Sequence, residues 1–261
     1  MIPLFEDREH ILSAHDIVRT YLSDKKDISY QRVFLARSDP AVNYGSIPAV
    51  LMNKITLLRL SRLSQEIDVP IYPILGAGSA PFRGNLRPQS TDRLLSGYPS
   101  VHTFTIQSSF KFDNPPNEVS GAIAKICSRA TQATEPFDEE RAIELIERYT
   151  HAYCSQLETL APAINTVAVH VPKRRKRKLH IELFGYSRNM GIISLPRAIT
   201  FTAALYSLGT PPEILGVNAL TKDDVAFLKD IYGNVWTDLS DVLAFWNPDS
   251  PCTPPEVRET I

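Results

Sequence analysis

Short apolar runs alternate with longer helical repeats through residues 1–115, and this alternation restricts the chain to a small set of folds. The first run, 2–5 (IPLF), leads into Glu6 and Asp7. Ile11, Ala14, Val18, Tyr21 and Leu22 then recur at helical spacing. The second run, 32–36 (RVFLA), is rich in β-branched and aromatic residues and predicts a strand. It ends in Arg37-Ser38-Asp39-Pro40, where the proline disfavours helix at Asp39 and predicts a loop. A helix is expected over 47–67, with Val50, Leu51, Ile55, Leu58 and Leu63 apolar. A third strand is expected at 70–75 (PIYPIL), running into the glycine-containing segment 76–84 (GAGSAPFRG), and a fourth at 101–107 (VHTFTIQ). Strand–helix units of this kind build a parallel sheet covered by helices, either doubly wound or closed into a barrel.

The rest of the chain is mostly helical in pattern. Ile143, Ile146, Tyr149, Tyr153 and Leu157 lie on one face of a helix expected over 139–160. Further helices are expected at 195–208 and 221–232, with an extended segment at 179–184. The tail, 247–261, has little periodicity and reads as a loop-like end. The expected organisation is a single catalytic region, 1–261: βα units over 1–115, a mostly helical part over 116–246, then the tail. A full eight-stranded barrel takes about 250 residues. With four or five strands visible, this chain would supply about half of one. It opens directly on a strand, so the expectation is a portion of a longer polypeptide.

Charge and cysteine content narrow the function classes. With 28 basic and 29 acidic side chains the net charge is −1, which exerts no long-range pull on nucleic acid or membrane. Any anion site is therefore a local arrangement. Cys127, Cys154 and Cys252 are an odd count without a CxxC pattern, which argues against a disulfide framework or zinc site and for a cytoplasmic setting. No apolar run approaches the ~18 residues of a membrane span.

In parallel α/β folds, sites form on the loops after the C-terminal ends of strands. Glu6 and Asp39 both take such positions. Magnesium is commonly held by one or two carboxylates, with water and substrate oxygens completing its shell. Capping of the following helix is an equally good reading for either acid alone. In segment 76–84 the glycines permit left-handed backbone and close approach to a ligand, and Arg83 offers a planar, permanently charged fork for phosphate or carboxylate. The segment is neither a Walker loop nor a dinucleotide fingerprint, because both spacings are missing.

Taken in order, 3–7 (PLFED), 34–41 (FLARSDPA), 76–84 (GAGSAPFRG), 105–108 (TIQS), 184–188 (FGYSR) and 195–199 (LPRAI) resemble the phosphoenolpyruvate carboxylases, the archaeal type in particular. The resemblance runs from residue 2 to about residue 218. It implies an α/β fold of the TIM-like (β/α)8 barrel family, this chain supplying about the second half of the barrel plus additional C-terminal helices. It implies a reaction that joins phosphoenolpyruvate and bicarbonate to give oxaloacetate and phosphate, with Mg2+ or Mn2+. Glu6 and Asp39 match the family's metal carboxylates. Catalytic roles fall to Arg83, Lys111 and Arg188, and substrate contacts to Arg83, Gly84, Gln107 and Arg197. The family commonly forms homotetramers.

Two departures stand beside the resemblance. Ala77 occupies the place of a second loop arginine found in the larger bacterial and plant enzymes, which fits the archaeal branch. The family's earlier strands, and an essential histidine on them, have no counterpart among these residues. Two alternatives therefore stay open: another barrel enzyme of phosphoenolpyruvate or pyruvate chemistry, or a non-catalytic chain that needs a partner supplying the missing strands.

The run 173–178 (KRRKRK) is the sharpest charge feature. It reads as a solvated loop or a face near anionic substrates, since no aromatic residues are interleaved with it. No nucleic-acid or membrane partner is expected. His102, His170 and His180 lie in or near apolar runs and read as structural, and Tyr149 and Tyr153 read as core.

Overall fold

Four strands pair side by side in the order in which the chain makes them, β1 (Leu4–Phe5), β2 (Gln31–Ala36), β3 (Ile71–Gly76) and β4 (Thr103–Phe104), all parallel. They belong to a computed structural model that describes residues 1–25, 27–172, 189–190 and 193–261. Helices α1 (Arg8–Leu12) and α2 (Ala14–Ser23) follow β1, and α3 (Ser38–Tyr44) and α4 (Ser46–Glu66) follow β2. After β3 comes α5 (Thr91–Gly97), and after β4 come α6 (Ser108–Lys111) and α7 (Pro116–Ser128).

Register divides the sheet residues between two faces. Phe5, Leu35, Leu75 and Phe104 stand in one row across the strands, and all four are buried. The neighbouring row, Leu4, Phe34, Ile74 and Thr103, is covered less completely, and Leu4 is 44% exposed. Side chains alternate between faces along a strand, so the first row faces the helices and the second faces away.

Helix α4 is buried almost all round from Ile47 to Leu58, because it lies between β3 and α8 (Glu139–Ala168). Two of its buried polar residues donate to backbone: Thr56 Oγ1 to Ile11 O at 2.7 Å, and Asn53 Nδ2 to Ala36 O at 3.2 Å. Those bonds tie α4 to α1 and to the end of β2. Helix α8 starts at an Asp138 cap and buries Tyr149 and Tyr153 fully. Their hydroxyls donate to Leu215 O at 2.7 Å and Val42 O at 3.0 Å, so the expected core tyrosines also join the two halves of the chain. A short antiparallel pair, β5 (Asn189–Met190) and β6 (Ile193–Ser194), precedes α9 (Ala198–Ser207), α10 (Lys222–Ile231), α11 (Val235–Leu243) and α12 (Pro255–Thr260).

Several expectations are corrected. Asp39 lies in the first turn of α3, not in a loop. Pro40 is tolerated there because first-turn N–H groups have no intrahelical partner to lose. The strand expected over 101–107 spans only Thr103–Phe104. Helix α8 runs past its expected end at 160, through Pro162, because Ala161 and Ile164 still bury against the core. The loop-like tail carries α12, whose Val257 is fully buried with Ile214, Val217 and Val242. His102 and His170 are exposed, with the His102 ring tilted against Tyr72 at 4.7 Å between ring centroids. The basic run 173–178, the extended segment 179–184, His180 and Arg188 lie outside the described residues. Among the described residues, no helix is long and apolar enough to cross a membrane.

Candidate active site at the strand ends

The expected site residues divide among three places. Glu6 directly follows β1, Asp39 lies three residues beyond β2, and β1 pairs with β2 in parallel, so both carboxylates come off the same edge of the sheet. Both are half-buried. The cap of α1 is Asp7, whose Oδ1 accepts from His10 N at 3.0 Å. Capping therefore explains Asp7 and leaves Glu6 without that role. For Asp39 the first-turn position of α3 keeps a structural reading alive, since an acid there is favoured by the helix dipole. Among the described residues no group of three or more His, Cys, Asp or Glu gathers as a metal cluster. Two oxygen donors on neighbouring strand ends suit a hard cation that takes its other ligands from water and substrate.

The second place is the loop after β3. Its residues fold back through Gly78 N to Arg83 O and Leu86 N to Gly78 O, both 2.7 Å. A short 3-10 turn, Pro81–Arg83, ends at Gly84, which is buried with φ 110°. Only glycine takes that conformation without strain, and a methyl there would also stand 2.9 Å from the Ala77 Cβ. Gly78 gives the guanidinium a close approach: a methyl at 78 would lie 2.7 Å from Arg83 Cζ and would shift it. The guanidinium thus rests on a glycine and donates from Nη2 to Gln107 Oε1 at 2.7 Å. Gln107 is the residue just before α6. The structure therefore brings Arg83, Gly84 and Gln107 together from the loops after β3 and β4.

Lys111 and Arg197 occupy the third place, the exposed surface. Lys111 is at the C-terminal end of α6, one turn beyond Gln107, and Arg197 immediately precedes α9.

Two residues that sequence reasoning missed hold the loop from behind. Arg37, 3% exposed, donates from Nη1 to Phe82 O at 3.0 Å. Glu213, 2% exposed, accepts from Phe82 N at 2.7 Å and from the Tyr206 hydroxyl at 3.0 Å, both on Oε1. Burial pushes the Glu213 carboxyl up to about 7, while its hydrogen bonds and the Arg37 charge pull the other way. The available signal was an acid inside the apolar run 211–215 (PPEIL), where an ionisable side chain is seldom fully buried without partners.

The description of the matching family reads "Phosphoenolpyruvate carboxylase", and the match covers residues 1–260. The chain belongs to the phosphoenolpyruvate carboxylase family. Among relatives of that name, the protein of Methanospirillum hungatei is 55% identical over 261 residues, covering 100% of this chain and 54% of the relative. That of Methanothermobacter thermautotrophicus is 52% identical over the same 261 residues, again 54% of its own length. That of Pyrococcus abyssi is 49% identical over 247 residues, 95% of this chain and 52% of the relative. The chain thus spans about half the length of the curated relatives it matches. Family membership agrees with the ordered motifs, of which all but 184–188 fall wholly among described residues.

Proposed function

We propose that this chain carries the strand-end half of a phosphoenolpyruvate carboxylase site, which joins phosphoenolpyruvate and bicarbonate to give oxaloacetate and phosphate. The observation that carries this reading is the family match across residues 1–260. The fold supports it. Among the described residues the parallel sheet order is sequential, without the reversal that marks a doubly wound sheet. The row through Leu4 is left partly open, whereas parallel sheets are normally covered on both faces. Four consecutive strands of a TIM-like barrel fit both features.

Glu6 and Asp39 would hold Mg2+ or Mn2+. Such an ion, when bound, supplies Lewis-acid stabilisation of the negative charge that develops on the enolate oxygen. The chain's own residues bind and orient. Arg83, fixed on Gly78 and Gln107, presents a planar fork to the phosphate or carboxylate of the substrate. The resemblance also assigns Lys111, Arg188 and Arg197 to these anions; Lys111 and Arg197 stand on the exposed surface, and Arg188 lies outside the described residues. A bicarbonate oxygen attacks phosphorus and the bond from phosphorus to the enol oxygen breaks, leaving carboxyphosphate and the enolate. The enolate carbon then takes the carboxyl carbon, and phosphate leaves. Neither step needs a protein nucleophile. The contribution required of the protein is alignment and charge stabilisation. A cytoplasmic homotetramer completes this reading, and the free state of Cys127, Cys154 and Cys252 agrees with a reducing setting.

The test is oxaloacetate formation by this chain supplied with a polypeptide carrying the remaining half of the relatives' length. Turnover that requires phosphoenolpyruvate, bicarbonate and Mg2+ or Mn2+ together is expected. Conversion of phosphoenolpyruvate without bicarbonate dependence would replace this reading with another phosphoenolpyruvate or pyruvate chemistry on the same barrel.

A further inference from the structure

Phe82 precedes Arg83 and is fixed on three sides. Its ring is fully buried against Phe201, with centroids 5.6 Å apart. Its N–H donates to Glu213, and its C=O accepts from Arg37. Two buried ionisable side chains thus hold the two polar groups of one residue. A buried carboxylate is an expensive acceptor for a single amide, because its ionised form loses hydration. A neutral acceptor would satisfy the same N–H at lower cost. What the carboxyl keeps in either protonation state is an oxygen acceptor, so the bond from Phe82 N does not depend on its charge. Oε1 is further fixed by the Tyr206 hydroxyl, while Oε2 has no hydrogen-bond partner among the described residues. Glu213 lines a cavity of about 20 Å³ behind the loop together with Arg37, Pro81 and Asp238.

We infer that Glu213 is a positioning residue for the carboxylation reaction: with Arg37 it clamps the Phe82 backbone and so sets the direction in which Arg83 leaves the loop. This rests on the reading above that Arg83 holds substrate. The clamp acts on the main chain one residue before the guanidinium, so its effect belongs to orientation in the transition state more than to substrate capture. A displacement of about 1 Å at a reacting group is enough to lower rate by about 100-fold.

The experiment compares Glu213→Ala, Glu213→Gln, Tyr206→Phe and Arg83→Lys in this chain, by steady-state kinetics with a polypeptide carrying the remaining half of the relatives' length and by amide hydrogen exchange. Glu213→Ala is expected to lower kcat by about 10- to 100-fold with KM for phosphoenolpyruvate changed far less. It is also expected to speed exchange of the Phe82 amide by at least about 10-fold, while amides buried in α4 keep their protection. Glu213→Gln retains an oxygen acceptor and is expected to recover both readouts to within about 3-fold. If Glu213→Ala fails to fold, as α4 exchange will show, Glu213→Gln and Tyr206→Phe decide the matter. Tyr206→Phe is then expected to speed Phe82 exchange and lower kcat in the same direction, by a smaller factor. The proposal is overturned if Phe82 exchange rises while kcat stays at the wild-type value. It is equally overturned if Glu213→Gln loses activity with Phe82 exchange unchanged. Arg83→Lys separates the two readings. Wild-type turnover in that variant defeats the role of Arg83 itself, whereas lost turnover with unchanged Phe82 exchange leaves that role standing and isolates the clamp.

Discussion

Arg83 reaches Gln107 with one arm of a planar fork, and a lysine ammonium at the same place would keep the charge without the shape. Arg83→Lys is therefore expected to lower kcat by on the order of 100-fold, comparable to removing a transition-state donor. Steady-state assays at saturating substrate check it, and turnover near wild type would remove Arg83 from the chemistry. Asp39 offers a sharper contrast, because its two readings predict different observables. As a first-turn acid of α3 it stabilises the helix by about 0.3–1 kcal/mol, so Asp39→Asn would show mainly in denaturant unfolding. As a metal carboxylate it sets the Mg2+ concentration needed for turnover. We expect that concentration to rise at least about 10-fold with little change in stability; unchanged Mg2+ activation would return Asp39 to the helix. The sequence exposed these residues because each lies beside a local signal: a proline, a glycine pair, a strand end. It concealed Glu213, whose hydrogen-bond partner Phe82 is 131 positions away. No periodicity or short motif reports a contact over that distance.

Elements were legible where a repeat was long enough to show one face. Strand β2, helix α4 and the start of α8 fall close to their expected places, since β-branched residues in β2 and the tyrosine face of α8 mark them directly. The misplacements share a cause, which is packing by distant segments. Helix α3 begins at Ser38, with Pro40 and Ala41 buried, where the X-Pro rule alone favoured a loop. Helix α12 forms at the tail because Val257 fills the space beside Ile214, Val217 and Val242. A helix of six residues is too short to persist by propensity alone. Val257→Ala is accordingly expected to cost about 1–3 kcal/mol in urea denaturation, the range for removing buried methyl groups. A loss below about 0.3 kcal/mol would mean that α12 does not contribute to the core.

For the whole molecule, one sheet face decides what the chain can do alone. The buried row through Leu35 and Leu75 gives the sheet a core against the helices, while the row through Leu4 remains partly open. An unpaired strand edge beside an apolar row favours association. On the half-barrel reading, this chain by itself is expected to show little carboxylation. Turnover should appear when a polypeptide carrying the remaining half of the relatives' length is supplied. Full turnover by the chain alone, checked by assay and size-exclusion chromatography, would reject that dependence. The glycine loop carries a consequence for synthesis as well. It leaves the ribosome well before its anchors: Glu213 holds Phe82, and Asp238 accepts from Asn85 Nδ2 at 2.7 Å across 153 positions. Chain growth therefore delivers every strand-end motif long before the loop between β3 and α5 is locked. A nascent polypeptide stopped near residue 200 would display Glu6, Asp39 and Arg83 and still lack the buried acid that fixes the loop behind them.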